Sequence, residues 1–154
     1  MSITIRSITL WRTQTADRPG LLAGVLAPFA EGGNDLRIVM GYHVPGPEGR
    51  TAVLELFPVS GKKAETSATA VGLATSSIPT LLVEGDDRAG LGHELARGVA
   101  DAGVDIHFLV AQVIGRKFSA VFGFGGEEDA RKAAAAMKKA AREKGRRLSP
   151  KRRR

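Results

Sequence analysis

The 154-residue sequence predicts an α+β fold in which one strand-helix-strand-strand-helix unit occurs twice. Three observations lead there. Asp17-Arg18-Pro19-Gly20-Leu21 returns seventy positions later as Asp87-Arg88-Ala89-Gly90-Leu91, and Glu31-Gly32-Gly33-Asn34-Asp35-Leu36 returns as Asp101-Ala102-Gly103-Val104-Asp105-Ile106 at the same offset. A repeat at fixed spacing marks a duplicated structural unit. Apolar residues between the two motifs recur with helical spacing, whereas those after them alternate with the period of two that belongs to strands. The length suits two units of about 70 residues, each too small to bury much apolar surface alone, so the units are expected to pack against each other or against a second chain.

Along the chain, Ile3 to Thr13 alternates as a strand with a parity change near Ser7, which predicts a bulge or two short strands. Asp17 is placed to cap a helix, and Leu21, Leu22, Val25, Leu26 and Phe29 form its apolar face. Pro28 removes one donor from that helix and is expected to bend or fray it; Gly32-Gly33 ends it. Leu36–Val44 and Thr51–Val59 read as a hairpin around a Pro/Gly loop, followed by a weak helix from Lys62 to about Thr75 with Ala64, Ala68, Val71 and Ala74 inward. The second copy runs through a strand at Thr80–Glu84, a helix marked by Leu91, Leu95, Ala96, Val99 and Ala102, and strands at Ile106–Ile114 and Phe118–Phe124. A final helix carries a small-residue face of Ala130, Ala133, Ala134, Met137 and Ala141. These are the first five elements of a βαββαβ sandwich. The sixth is either missing or displaced in both units, or supplied by exchange of Met1–Arg6 and Ile78–Glu84.

The formal charge of +7 looks like a nucleic-acid signal until it is partitioned along the chain. Residues 131–154 hold 12 Lys/Arg and one acid, a charge of +11, while the remaining 11 basic and 15 acidic residues give residues 1–130 a charge of −4. The folded body is mildly acidic, and its basicity belongs to the last helix and tail. No run approaches the apolar length of a membrane span, and the N-terminus lacks a signal peptide's basic start and apolar core, so a cytoplasmic protein without membrane contact is expected. The absence of cysteine excludes disulfides and thiolate sites. His43, His93 and His107 are scattered over a strand, a helix and a strand, which predicts no metal site and no metal cofactor. No Ser stands in a nucleophile elbow, and Gly123-Phe124-Gly125-Gly126 is not followed by the Lys-Ser/Thr of a phosphate loop. The chain is therefore expected not to be an enzyme.

The repeated corner is the remaining candidate. A glycine at the first turn of a helix lets a ligand approach backbone N–H groups that have no intrahelical acceptor, which suits a carboxylate. With Asp17 and Asp35 brought together by the strand order, the site would also suit an ammonium group. The alternative is structural: Asp17 caps the helix, Gly20 permits tight packing, Asp35 caps a turn and Arg18 is solvated.

Asp17-Arg18-Pro19-Gly20-Leu21, its apolar helix and Glu31-Gly32-Gly33-Asn34-Asp35-Leu36 resemble the start of an ACT domain, the ferredoxin-like module that senses amino acids in regulated metabolic proteins. The resemblance covers residues 8 to about 75 and 80 to about 145. It implies two ferredoxin-like βαββα(β) ACT units packed side by side, with antiparallel sheets and helices on one face. The units would span residues 1–75 and 76–145, followed by a basic tail at 146–154. It further implies an amino-acid effector bound where ACT units pair, a homodimer as the assembly, and a ligand sensor that signals to a protein partner, similar in layout to glycine cleavage repressor-like proteins. The ligand-binding residues it implies are Asp17, Arg18, Gly20, Leu21 and Asp35, with Asp87, Arg88, Gly90, Leu91 and Asp105. Serine-binding members have Asn where this chain has Asp17 and Asp35, and carboxylates favour an ammonium more strongly than amides do. The tail at 146–154 carries a rival expectation, a nucleic acid bound through its arginines and lysines, against that of a solvated terminus.

Overall fold

The structure, a computed structural model, describes residues 3–147. From residue 148 onward the basic tail lies outside the described residues, and with it the expected nucleic-acid contact. In chain order the elements are β1 (Ile3–Ile8), β2 (Trp11–Ala16), α1 (Leu21–Glu31), β3 (Ile38–Gly46), β4 (Gly49–Phe57), α2 (Lys62–Ala70), β5 (Ala74–Thr75), β6 (Thr80–Asp86), α3 (Leu91–Asp101), β7 (Ile106–Ile114), β8 (Lys117–Phe124) and α4 (Glu127–Arg147). The chain divides into two compact units. Thr9–Ser77 forms the first; Ile3–Ile8 joins the residues from Ile78 onward to form the second. The architecture is α+β, with two four-stranded antiparallel sheets and four helices, as expected of two ferredoxin-like units.

In the first unit the sheet order is β3-β4-β2-β5. The parity change near Ser7 is a break between two strands, and β1 and β2 enter different sheets. One face of β4 presents Ala52, Leu54 and Leu56 to Leu21, Val25 and Phe29 of α1 and Ala68 of α2, and these residues are the core. Leu22, expected inward, is 44% exposed. The helix α1 continues through Pro28 for three further residues. It then closes with Asn34 N–H donating to the Phe29 carbonyl at 2.9 Å over Gly33, whose φ is +68°, the left-handed C-terminal cap that glycine permits. The helix α2 ends earlier than expected, because Gly72 adopts φ +85° and Leu73 N–H returns to the Ala68 carbonyl at 2.9 Å. Ala74, expected on its inner face, thereby becomes an exposed residue of β5.

The second unit has the order β1-β6-β8-β7. Its core joins Leu91, Leu95 and Val99 of α3 to Phe118, Ala120, Phe122 and Phe124 of β8 and to Ala130, Ala133 and Met137 of α4. The helices α3 and α4 approach closely at Gly98, where an added Cβ would lie 3.1 Å from the Ala136 carbonyl oxygen. In the first unit the fourth-strand slot holds only the two residues of β5, paired Trp11↔Thr75 and Arg12↔Ala74. In the second it is filled by β1 in a full ladder from Ile3↔Gly85 to Ile8↔Thr80. The N-terminal segment thus supplies the missing strand of the C-terminal unit. The Thr80–Asp86 segment opens its own unit and is not exchanged.

Candidate functional site

The first corner follows from one turn. Arg18-Pro19-Gly20-Leu21 is closed by Leu21 N–H donating to the Arg18 carbonyl at 3.2 Å, with Gly20 at φ 85°, ψ −2°. This is a type II turn, which demands positive φ at its third residue and favours proline at its second. Gly20 is the residue that precedes α1, and Gly24 N–H donates to its carbonyl at 2.9 Å. Asp17 therefore does not cap the helix, because the intervening turn sets it too far back. No side chain caps α1, so the amides of Leu22 and Ala23 remain for a solvent or ligand acceptor.

Asp17 has a different partner. Its Oδ2 lies 2.9 Å from His43 Nε2, with both side chains partly exposed. Sheet register makes this contact: Thr15 stands opposite Ala52, and Ala52 opposite His43. The end of β2 is thus level with the far half of β3. Because β2 and β3 both run antiparallel to β4, they are parallel to each other, and the start of β3 lies at the opposite end of the sheet. Asp35, exposed just before β3, is consequently not brought to Asp17. The expected pairing of these two carboxylates is corrected on that ground, and the same topology separates Asp105 from Asp87.

Between the start of α1 and β3 lies a cleft of about 620 Å³. Asp17, Arg18, Leu22 and Ala23 form one wall, with Gly20 and Leu21 at the turn; Gly41, His43 and Leu54 form the floor. A Cβ on Gly41 would lie 3.2 Å from Leu54 Cδ2, so the missing side chain keeps the floor low. His43 and Gly41 were not among the residues expected from sequence. The strand alternation that places them on the helix-facing side was visible, but the register that carries them to Asp17 was not.

The second corner repeats the backbone and not the side chains. Gly90 has φ 85°, ψ −3°, Leu91 N–H donates to the Arg88 carbonyl at 3.2 Å, and Leu91 is buried. Arg88 donates Nη1 to Glu94 Oε1 at 2.6 Å, and its Nη2 pairs with Glu94 Oε2. That hydrogen bond raises the guanidinium pKa. Asp87 is exposed, and its N–H donates to the Arg116 carbonyl at 2.8 Å. Its neighbour Asp86 bonds Lys117 Nζ at 2.5 Å, which holds the Asp86 carboxyl below the usual carboxylate range. Val113 and Ala111 stand where the first corner has His43 and Gly41.

On the other face of the first sheet, Glu55 is buried at 1% exposure. Tyr42 donates its hydroxyl to Glu55 Oε2 at 3.1 Å, and Arg12 Nε lies 3.8 Å from Oε1. Burial first, then the Glu55 charge, raises the Tyr42 pKa above its ordinary value. Among the described residues no cluster of three or more His, Asp or Glu is arranged to hold a metal, and no helix is long and apolar enough to cross a membrane.

No family model and no curated protein matches the sequence. Solved structures do. Protein BT0572 from Bacteroides thetaiotaomicron is similar at TM-score 0.67 and 12% identity, covering 85% of this chain and 88% of that one. The ligand-free regulatory subunit of aspartate kinase from Thermus thermophilus is similar at TM-score 0.59 and 18% identity, covering 90% and 95%. A structure of aspartokinase alpha and beta subunits is similar at TM-score 0.60 and 13% identity, covering 92% and 98%. At these identities the likeness is one of fold: over nine-tenths of its length the chain shares with the aspartate kinase regulatory subunit a tandem fold of two ferredoxin-like α+β units.

Proposed function

We propose that the chain is a non-enzymatic regulatory protein that binds an amino acid in the cleft at its first corner and passes that state to a partner. The observation that carries the reading is the uncapped start of α1 facing a cleft that also holds Asp17. Free amides at a helix start accept a carboxylate, and an aspartate accepts an ammonium. Those two groups sit together on every α-amino acid. Leu22 and Leu54 give the effector's side chain an apolar wall. The shared fold with a kinase regulatory subunit supports a regulatory role over a catalytic one.

The test is thermal denaturation of the full chain with each of the twenty amino acids. A ligand present at a hundredfold excess over its Kd stabilises the folded state by about 2.7 kcal/mol, enough to raise the melting temperature by several degrees. One or a few amino acids should do so, and Asp17→Ala should remove the shift. If none of the twenty raises the midpoint, the reading falls.

The expected homodimer has a surface that suits it. β7 is the open edge of its sheet, and Ile106–Ile114 contains no Lys, Arg, Asp or Glu to guard that edge. Leu109 and Val113 are exposed on one side of the strand and Val110 and Ile114 on the other, Ile114 at 69%. An unguarded apolar edge is a template for pairing, and an antiparallel pairing centred on Val110 sets the strand against its own copy, with aliphatic neighbours on both sides. Light scattering should report a dimer for the wild type and a monomer for Val110→Lys. A monomeric wild type would exclude this assembly.

A further inference from the structure

The two corners share a backbone but not the situation of their arginine, and one sequence difference accounts for it. Arg88 is gripped by both oxygens of Glu94, with the two side chains only 16% and 11% exposed. A largely buried guanidinium-carboxylate pair held by a charge-assisted hydrogen bond, with a second ion-pair contact beside it, is strong. Seventy residues earlier the equivalent of Glu94 is Gly24. A Cβ built on Gly24 would meet nothing within 4 Å. The local backbone is the same: Gly24 N–H reaches the Gly20 carbonyl at 2.9 Å, and Glu94 N–H reaches the Gly90 carbonyl at 3.0 Å. Arg18 is exposed, and among the described residues no hydrogen bond or ion pair joins its side chain.

We infer that Arg18 takes the effector's carboxylate, and that the chain holds one effector site, at the first corner, because Glu94 satisfies the arginine of the second from within. This rests on the reading of the cleft as an amino-acid site and adds the residue that grips the acid group and the number of sites. The second corner shows the chemistry directly: on this turn, an arginine engages a carboxylate through both nitrogens. In the first corner the internal carboxylate is deleted, and the released arginine lines the same cleft as Asp17 and the free amides of Leu22 and Ala23. The effector's carboxylate then meets Arg18 and the helix start while its ammonium meets Asp17. Val113 and Ala111, in place of His43 and Gly41, deprive the second corner of the matching floor.

Isothermal titration of the full chain with each of the twenty amino acids tests this, followed by titration of variants with whichever binds. One equivalent per chain is expected. Arg18→Ala and Gly24→Glu should each weaken binding by roughly tenfold or more, the loss of a charged hydrogen-bonded contact. In the second variant the new carboxylate would occupy Arg18 as Glu94 occupies Arg88. Gly24→Ala, which adds only a Cβ into open space, should bind as wild type does. A melting temperature for Gly24→Glu at or above that of wild type would establish that lost binding is not lost fold. Two equivalents per chain, or undiminished binding in either Arg18→Ala or Gly24→Glu, would overturn this inference and leave the amino-acid reading standing. Absence of binding by the wild type would overturn both.

Discussion

At the scale of single residues, Tyr42 offers the cleanest measurement, because it is the chain's one tyrosine. Burial and the adjoining Glu55 charge both disfavour its phenolate. Its folded pKa is raised above the unfolded value of 10.0, so its contribution to stability is fully present below that pH. The contribution is lost as pH rises through the folded value. An absorbance titration of the phenol should therefore give a midpoint above 10.0 in the folded protein. Glu55→Gln should lower that midpoint without restoring the free value, since the burial remains. An unmoved midpoint in the variant would show that the hydroxyl does not face a carboxylate. Sequence made Glu55 legible as a strand residue on the Val53 side, but a lone Glu in an alternating run reads as solvent-facing. In the fold it meets Tyr42 and Arg12 from the neighbouring strands, partners that only register supplies. The turns at Gly20 and Gly90 are local events whose need for positive φ lies in four consecutive residues. Yet the sequence placed the glycine inside the first helical turn with Asp17 as its cap, because a helix start and a turn leading into one share the same residue types.

At the scale of elements, the periodic strands and helices were readable because their signals repeat within a few residues. Boundaries set by a single capping event were less so. The helix α2 stops at Ala70 because Gly72 turns left-handed, whereas its alanines and threonines carry no sharp end signal. The α1 crossover shows how topology overrides sequence proximity. Asp17 and Asp35 bracket one helix of 11 residues, about 16 Å long at 1.5 Å per residue, and that span delivers them to opposite ends of a parallel strand pair. The run of β3 then brings His43, further along the chain than Asp35, back to Asp17. A close approach is likewise invisible in the sequence at Gly123. There a Cβ would fall 2.0 Å from the Phe108 ring, so the ring of β7 lies over the bare backbone of β8.

At the scale of the whole molecule, the duplication was evident from the repeat, but the allocation of the first strand was not. An alternating segment such as Ile3–Ile8 fits the edge of either sheet, and only the pairing Ile3↔Gly85 through Ile8↔Thr80 assigns it. Removing residues 1–8 should consequently weaken the C-terminal unit, stripping the ladder from β6 and taking Ile3 and Ile5 away from the core they pack against. Hydrogen exchange read by mass spectrometry should speed up in β6 and β8 more than in β3 and β4. Equal protection of β6 in the truncated chain would contradict the pairing. The ladder has a second effect, on a stretch of chain it does not include. With Ile8 held opposite Thr80, everything between them is a loop tied at its neck. If that loop unfolds while the knot holds, its ends stay pinned, and it gains less disorder than a free chain of the same length would. The knot's six residue pairs thus act on residues 9–77 as a reversible, noncovalent stitch, and trimming the N-terminus would lower their resistance to unfolding without altering one of them.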